Sequence, residues 1–266
     1  MTPSPTQAAA PGLRLRTMAR PADHLWIGPD VPPNVPLEIG TSELDLLDRR
    51  DGGGWIATYR ERMGVCTSPR SCATTVSIID AAGKTESVSL APFYSRPERL
   101  EVQDVRVVDG VIYFNEACQS YAREAGGRCS ALVALDVATK KVLWRTAPLV
   151  SNNEFRVVGA YIVTAYGFTG EPASVRIVRR KDGALVGRQP LPGTNFEMTR
   201  KGDTLSIEIY HRIGTVHFRL EGFDGGAPRL VALPTTPPDP TDKPKDYDPP
   251  LLRSGSPGPR EAFGLH

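Results

Sequence analysis

The stretch "VRVVDGVIYFNE", residues 105–116, decides the fold, because "FRVVGAYIVTAY", residues 155–166, copies it. In each, two apolar runs flank a tight-turn pair, Asp109-Gly110 in the first and Gly159-Ala160 in the second. Two β-prone runs about such a turn read as a β-hairpin. Working outward, the pattern recurs with longer polar turns in "SELDLLDRRDGGGWIATY" (42–59) and "FEMTRKGDTLSIEIY" (196–210). After each copy comes a loop of variable length and then a second hairpin: residues 74–92, 130–148, 173–192 and 214–234.

The chain therefore reads as four units, near 42–92, 100–149, 152–192 and 195–234, each of four short antiparallel strands. A period of roughly 40–50 residues with four strands per unit is the signature of a β-propeller. Runs such as "VIYF" and "ALVAL" do not alternate apolar with polar residues, so both faces need cover, and stacked sheets supply it. The first strand of each unit is expected nearest the axis and the fourth at the rim. A β-sandwich also has many short strands, but it does not require four copies of one double-hairpin pattern. The expected class is all-β, a small propeller of four to five blades. Residues 24–40 are either part of a fifth blade or a strand that closes the ring.

Composition agrees. The 266 residues include 25 glycines and 25 prolines, which favours turns over long helices. A formal charge of +2 is too small to point to nucleic acid or an anionic membrane. No run of about 18 apolar residues marks a membrane span. Residues 1–22 read as a flexible segment without the apolar core of a signal peptide. Residues 234–266 read as a Pro-rich disordered tail, with "YDPPLL" (247–252) as a candidate docking peptide. The propeller domain is placed at 23–233.

The second hairpin of the second unit carries a family resemblance. "ALDVATKKVLW" resembles the quinoprotein-type (PQQ-like, WD40-like) propeller repeat, Ala-x-Asp-x-x-Thr-Gly-Lys-x-x-Trp. Ala134, Asp136, Thr139, Lys141 and Trp144 fall in register, and Lys140 replaces the glycine. The resemblance implies that Trp144 docks between neighbouring blades. The other units match weakly: Gly187 stands where the third unit would have its Trp, for example. Quinone enzymes of that family are much longer and hold the cofactor near an adjacent Cys-Cys pair, which this chain lacks, so no cofactor is expected. Non-enzymatic relatives, such as bacterial outer-membrane assembly scaffolds and periplasmic binding propellers, are the closer analogy.

Four cysteines remain to be placed. Cys66 and Cys72 bracket the loop between the second and third strands of the first unit, and Cys118 and Cys129 bracket the same loop of the second. Antiparallel strands bring such loop ends within disulfide reach, so the expected pairs are Cys66–Cys72 and Cys118–Cys129. The competing readings are zinc, whose paired-cysteine spacing of about two to four residues is missing, a Cys-x-x-Cys redox site, also missing, and free buried thiols. Disulfides point to a periplasmic or extracellular protein.

Chemistry is harder to find. Asp45, Asp48, Asp51, Asp104, Glu116 and Glu154 lie near inner strands or turns, but nothing in the spacing singles out a catalytic pair of the glycosidase kind. His211 and His217 are near in sequence and read as core or surface histidines rather than a metal site. Basic Arg179, Arg180 and Lys181 read as a solvated turn. The second-to-third-strand loops lie on one face of a propeller, and stapled loops on a rigid scaffold favour binding. The expected recognition face contains Arg62, Met63, Arg70, Glu116, Tyr121, Arg123 and Arg128. The expected function is a non-catalytic exported binding or scaffolding propeller for a protein or saccharide partner. The alternative is a small propeller enzyme (glycosidase, lyase or oxidoreductase) with an axial site.

Overall fold

Eighteen strands in four antiparallel sheets and one 3-10 turn, Ala91–Phe93, make up the regular structure of the computed structural model, which describes residues 31–49, 53–61, 73–95, 100–118, 121–123, 126–168, 170–210 and 214–237. The first sheet holds β1 (Glu38–Ile39), β2 (Ser42–Arg49), β3 (Trp55–Glu61), β4 (Thr74–Ile79) and β5 (Thr85–Ser89) in sequence order. The second holds β6 (Leu100–Glu101), β7 (Val105–Val108), β8 (Val111–Cys118), β9 (Ala131–Asp136) and β10 (Lys141–Arg145), with β6 and β7 both paired to β8. The third is β11 (Asn152–Val158), β12 (Tyr161–Tyr166), β13 (Ser174–Arg179) and β14 (Leu185–Pro190). The fourth is β15 (Asn195–Lys201), β16 (Thr204–Ile209), β17 (Gly214–Glu221) and β18 (Arg229–Thr236). Each sheet is a propeller blade.

The turns follow their chemistry. Asp109 and Gly110 both have positive φ, 52° and 72°, as a two-residue type I′ hairpin turn requires. In the β9–β10 turn the Asp136 carboxylate accepts hydrogen bonds from the Thr139 hydroxyl and N–H, each at 2.6 Å. Those bonds hold its carboxyl below the usual range. Lys140 then takes φ 54°, the conformation that the glycine of the resembled motif adopts without strain.

Apolar clusters bind neighbouring sheets pairwise. Ile78, Ile112, Phe114 and Leu135 join the first and second; Leu132, Trp144, Phe155 and Ile162 the second and third; Val163, Ile177, Met198 and Leu205 the third and fourth. This is why β8, β9, β12 and β13 are buried along nearly their whole length while the fourth strands of the blades are mostly exposed. Trp144 occupies the second seam. Its indole N–H donates to the Arg180 carbonyl at 2.8 Å, and a Cβ added at Gly183 would lie 2.7 Å from the ring. Only glycine at 183 lets the turn approach the indole so closely.

The two ends of the stack differ. The outer face of the first sheet is apolar and is covered by the segment before it: Val35 packs with Leu44, Leu47 and Tyr59, and the Tyr59 hydroxyl donates to the Pro36 carbonyl. Residues 31–40 thus form a cover and the two-residue strand β1, and among the described residues they build neither a fifth blade nor a ring-closing strand. In the fourth sheet β16 alternates: Leu205, Ile207 and Ile209 are buried against the third sheet, and Thr204, Ser206 and Glu208 lie on the other face. No apolar cluster joins the first and fourth sheets among the described residues.

β18 continues past Pro234, where the Pro-rich segment is expected to begin, to Thr236, which pairs with Thr215. Pro234 falls where the register slips between Thr215 and His217. An edge-strand irregularity of this kind is where a residue without an N–H is tolerated.

Candidate binding face and the axial charge ladder

The loops between second and third strands emerge at one end of the blades, and the hairpin turns at the other. On the loop face the Cys118–Cys129 disulfide, with Cα atoms 5.1 Å apart, closes the β8–β9 loop. Both half-cystines are buried, packed with Leu100, Ala122 and Tyr166. The Gly127 N–H donates to the Ala122 carbonyl and that of Gly126 to the Arg123 carbonyl, folding the loop back on itself. Cys66, Cys72, Arg62, Met63 and Arg70 lie outside the described residues.

This fold-back presents Tyr121, 41% exposed, with the Arg123 guanidinium 5.4 Å from its ring centroid. Beneath it runs an aromatic series from the next blade's loop: Tyr121 meets Phe168 edge-on at 6.3 Å, and Phe168 meets Tyr166 at 6.0 Å. The Tyr166 hydroxyl donates to Glu171 at 2.7 Å; burial, reinforced by that carboxylate, pushes the phenol well above its usual range. Arg176 stacks over Tyr166 at 5.2 Å, and burial together with the charge of Arg188 lowers its affinity for its proton. Arg123 and Arg128 are exposed. The corner is thus a rigid aromatic patch edged by arginines, drawn from two blades.

Glu116 does not belong to that face. It is 1% exposed, and its carboxylate accepts from the Ser95 N–H and hydroxyl and from Arg145 Nε and Nη2, at 2.8–3.1 Å. Lying on β8 before the loop opens, it points inward and ties the crossover at Ser95 to β10. Which side of the strand this carboxylate falls on is set by Ser95 and Arg145, both distant along the chain.

Toward the axis the first strands converge, and each is irregular at the same place. The register slips at Asp45 in β2, at Asn153–Glu154 in β11 and at residue 196 in β15, and residues 102–104 break the inner strand into β6 and β7. Such bulges re-aim side chains; Asp104 and Glu154 are turned toward the next blade, while Asp45 stays within its own. Asp45 pairs with Arg60 at 2.8 Å. Asp48 pairs with Arg106 at 3.1 Å, Arg106 with Asp104 at 2.9 Å, and Arg156 with Glu154 at 3.0 Å and Asp104 at 3.9 Å. Glu154 also accepts the Met198 N–H at 3.0 Å, and Asp104 the Phe155 N–H at 2.9 Å. One chain of charges therefore links the first three blades, and Glu154 and Arg156 extend it to the fourth through the Met198 backbone. Burial works against the charge of Arg106, but the carboxylates of Asp104, Asp48 and Glu154 outweigh it and hold the group above its ordinary value.

Beside this ladder runs a row of amides across the second, third and fourth blades. Asn115 Oδ1 accepts the N–H groups of Gln103 and Asp104, its Nδ2 donates to the Asn153 carbonyl, and Asn153 Nδ2 donates to the Asn195 carbonyl. These groups satisfy backbone left open by the broken inner strands. Of the acids flagged in the sequence, Asp45, Asp48, Asp104, Glu116 and Glu154 are ion-paired or hydrogen-bonded, and Asp51 lies outside the described residues. His217 is likewise engaged, with Ser206 at 2.8 Å and Thr236 at 2.9 Å, while His211 lies outside the described residues. Among the described residues no group of three His, Cys, Asp or Glu is placed to hold a metal.

Two open clefts lie on the opposite, turn face: one of about 410 Å³ between the first and second sheets and one of about 520 Å³ along the first. Asp80, which lines both, spends its Oδ1 on the N–H groups of Ala82 and Lys84 in its own turn.

No family model matches the sequence, and no curated protein matches it. Solved structures do. A protein of unknown function from Bacteroides caccae is similar at 16% identity and TM-score 0.44, over 76% of this chain and 63% of its own. The β-propeller domain of the Trilobed protease from Pyrococcus furiosus is similar at 11% identity and TM-score 0.41, over 72% of this chain and 57% of its own. The chain thus spans less than two thirds of the length of either.

Proposed function

We propose that the chain is a non-catalytic binding propeller that engages a protein partner through the corner built by Tyr121, Arg123 and Phe168. The observation that carries this reading is the stapled β8–β9 loop: it presents an exposed tyrosine already stacked on its neighbour, so little ordering is left for binding to supply. Tyrosine and arginine are the side chains that most often dominate protein interfaces. The axial acids support a scaffold rather than an enzyme, since each is engaged by arginine or backbone N–H groups instead of standing as a free pair. The Ala134–Trp144 motif supports placing the chain beside non-enzymatic quinoprotein-type propellers. The buried disulfide supports an oxidising, periplasmic or extracellular compartment.

The test is chemical cross-linking in the native host followed by purification of the wild-type chain and of Tyr121→Ala/Arg123→Ala. Loss of two interface anchors of about 2 kcal/mol each lowers recovery of a partner at least tenfold. An unchanged set of recovered proteins would reject the loop face as the binding surface. Recovery of the wild-type chain with Cys118 and Cys129 as alkylatable thiols would reject the exported compartment.

A further inference from the structure

Four of the large apolar side chains left exposed lie on the rim of two adjacent blades: Val142 and Leu143 on β10, Leu185 and Val186 on β14. Leu143 and Leu185 are 53% and 49% exposed. They sit at equivalent irregularities. The β10 register slips between Val142 and Trp144, leaving Leu143 unpaired, and the β14 register slips between Leu185 and Gly187, leaving Val186 unpaired. The two places are neighbours in space, because Trp144 lies against Gly183. Two exposed apolar pairs thus flank the seam, each a few residues from the Trp144–Gly183 contact.

The patch is edged by positive charge. Strands β10 and β14 carry Lys141, Arg145 and Arg188 and no acid; Lys181 stands in the β13–β14 turn, whose Asp182 is paired with Arg179, and Arg145 is paired with Glu116. Among the described residues Lys141, Lys181 and Arg188 make no ion pair. An exposed apolar patch rimmed in this way marks an interaction site, and its chemistry calls for an acidic segment with an apolar anchor.

The chain itself carries such a segment. Residues 238–252, "PDPTDKPKDYDPPLL", contain four aspartates against two lysines and end in Leu251-Leu252. They follow directly on β18, a rim strand of the fourth sheet. The 15 residues from Thr236 to Leu251 span roughly 45 Å at the ~3.1 Å per residue of a Pro-rich chain. β14 and β10 lie one and two sheets away, at least roughly 10 and 20 Å at ~10 Å per packed-sheet spacing. The segment is long enough, opposite in charge and apolar at the right end.

We infer that Leu251-Leu252 docks in cis on the Leu143–Leu185 seam patch, with Asp246 and Asp248 beside Lys141, Lys181 and Arg188. This surface is on the rim, separate from the loop face, and does not depend on what that face binds.

The full-length chain tests it, with Leu252→p-benzoylphenylalanine as a photo-cross-linker. Illumination is expected to give intramolecular adducts concentrated on residues 141–145 and 184–188. Leu143→Asp/Leu185→Asp, exposed positions whose replacement leaves the near-UV circular dichroism unchanged, is expected to cut that yield about tenfold, the loss of a contact of ~1.4 kcal/mol. High salt is expected to lower it as well, since the flanking charges are solvent-screened. Adducts scattered over the surface, or adducts on the seam that survive the double substitution, overturn the inference. Adducts found only between two copies assign the patch to a dimer contact and overturn docking in cis.

Discussion

Arg156 shows what one side chain does in this chain. It is buried on β11, reaches Glu154 and Asp104, and donates to the carbonyls of Phe155 and Met198. A buried ion pair gains little over an apolar replacement of the same shape, because desolvating the charges offsets their attraction. Removing one member is a different matter, since the others keep their charge without its partner. Arg156→Met therefore destabilises by about 3–5 kcal/mol, read from the urea midpoint of the purified protein. Adding Asp104→Asn and Glu154→Gln to the same chain restores part of that loss. If Arg156→Met is neutral, or the added substitutions lower stability further, the ladder does not hold the blades. Arg106 and Arg156 occupy matching places in "VRVV" and "FRVV". The repeat was thus legible, but not that its charges meet. Asp104 and Glu154 reach them where the inner strands break or bulge, and a bulge changes register without a sequence mark of its own.

Among the elements, the β8–β9 loop joins scaffold to surface. In the chain-entropy picture, closing a loop of this size between Cys118 and Cys129 adds about 2–3 kcal/mol. Cys118→Ser/Cys129→Ser loses that amount in chemical denaturation. It also loosens Tyr121, seen as faster amide exchange at residues 121–128 while β12 and β13 are unchanged. A loop as well protected without the bridge as with it would assign its order to packing on Phe168 alone. The hairpins were readable here because type I′ turns need residues that accept positive φ, and Asp109-Gly110 announces one. The cysteine pair was readable because repeat alignment puts both at the ends of one loop. Phe168, Tyr166 and Arg176 were not singled out, since their meeting with Tyr121 crosses from one blade to the next and has no period along the chain. Glu116 was misread for a related reason: strand position is legible, but a carboxylate's burial depends on Ser95 and Arg145, residues 21 and 29 positions away.

Across the whole molecule, the blades form a stack in which each apolar cluster joins only nearest neighbours. In such an array stability is a sum of blade and seam contributions, and the ends hold one seam where the middle holds two. The ends are also unlike: an apolar face under residues 31–40 at one, and at the other a polar face of Thr204, Ser206, Glu208 and His217. A face of that composition gives a further blade little to bury. Opening is therefore expected to start at the fourth sheet. Native-state hydrogen exchange should find the slowest amides in β8, β9, β12 and β13, with those of β16 and β17 exchanging about 10–100-fold faster, a gap of roughly 1.4–2.7 kcal/mol between local and global opening. Closure of the ring through contact of the first and fourth sheets would instead equalise protection across the four blades. The seam substitution Phe155→Ala separates the cases further. It cuts the stack between the second and third sheets at a cost of about 3–5 kcal/mol. In an open stack it lets the third and fourth sheets exchange together as one unit, whereas in a closed ring they stay held from the other side.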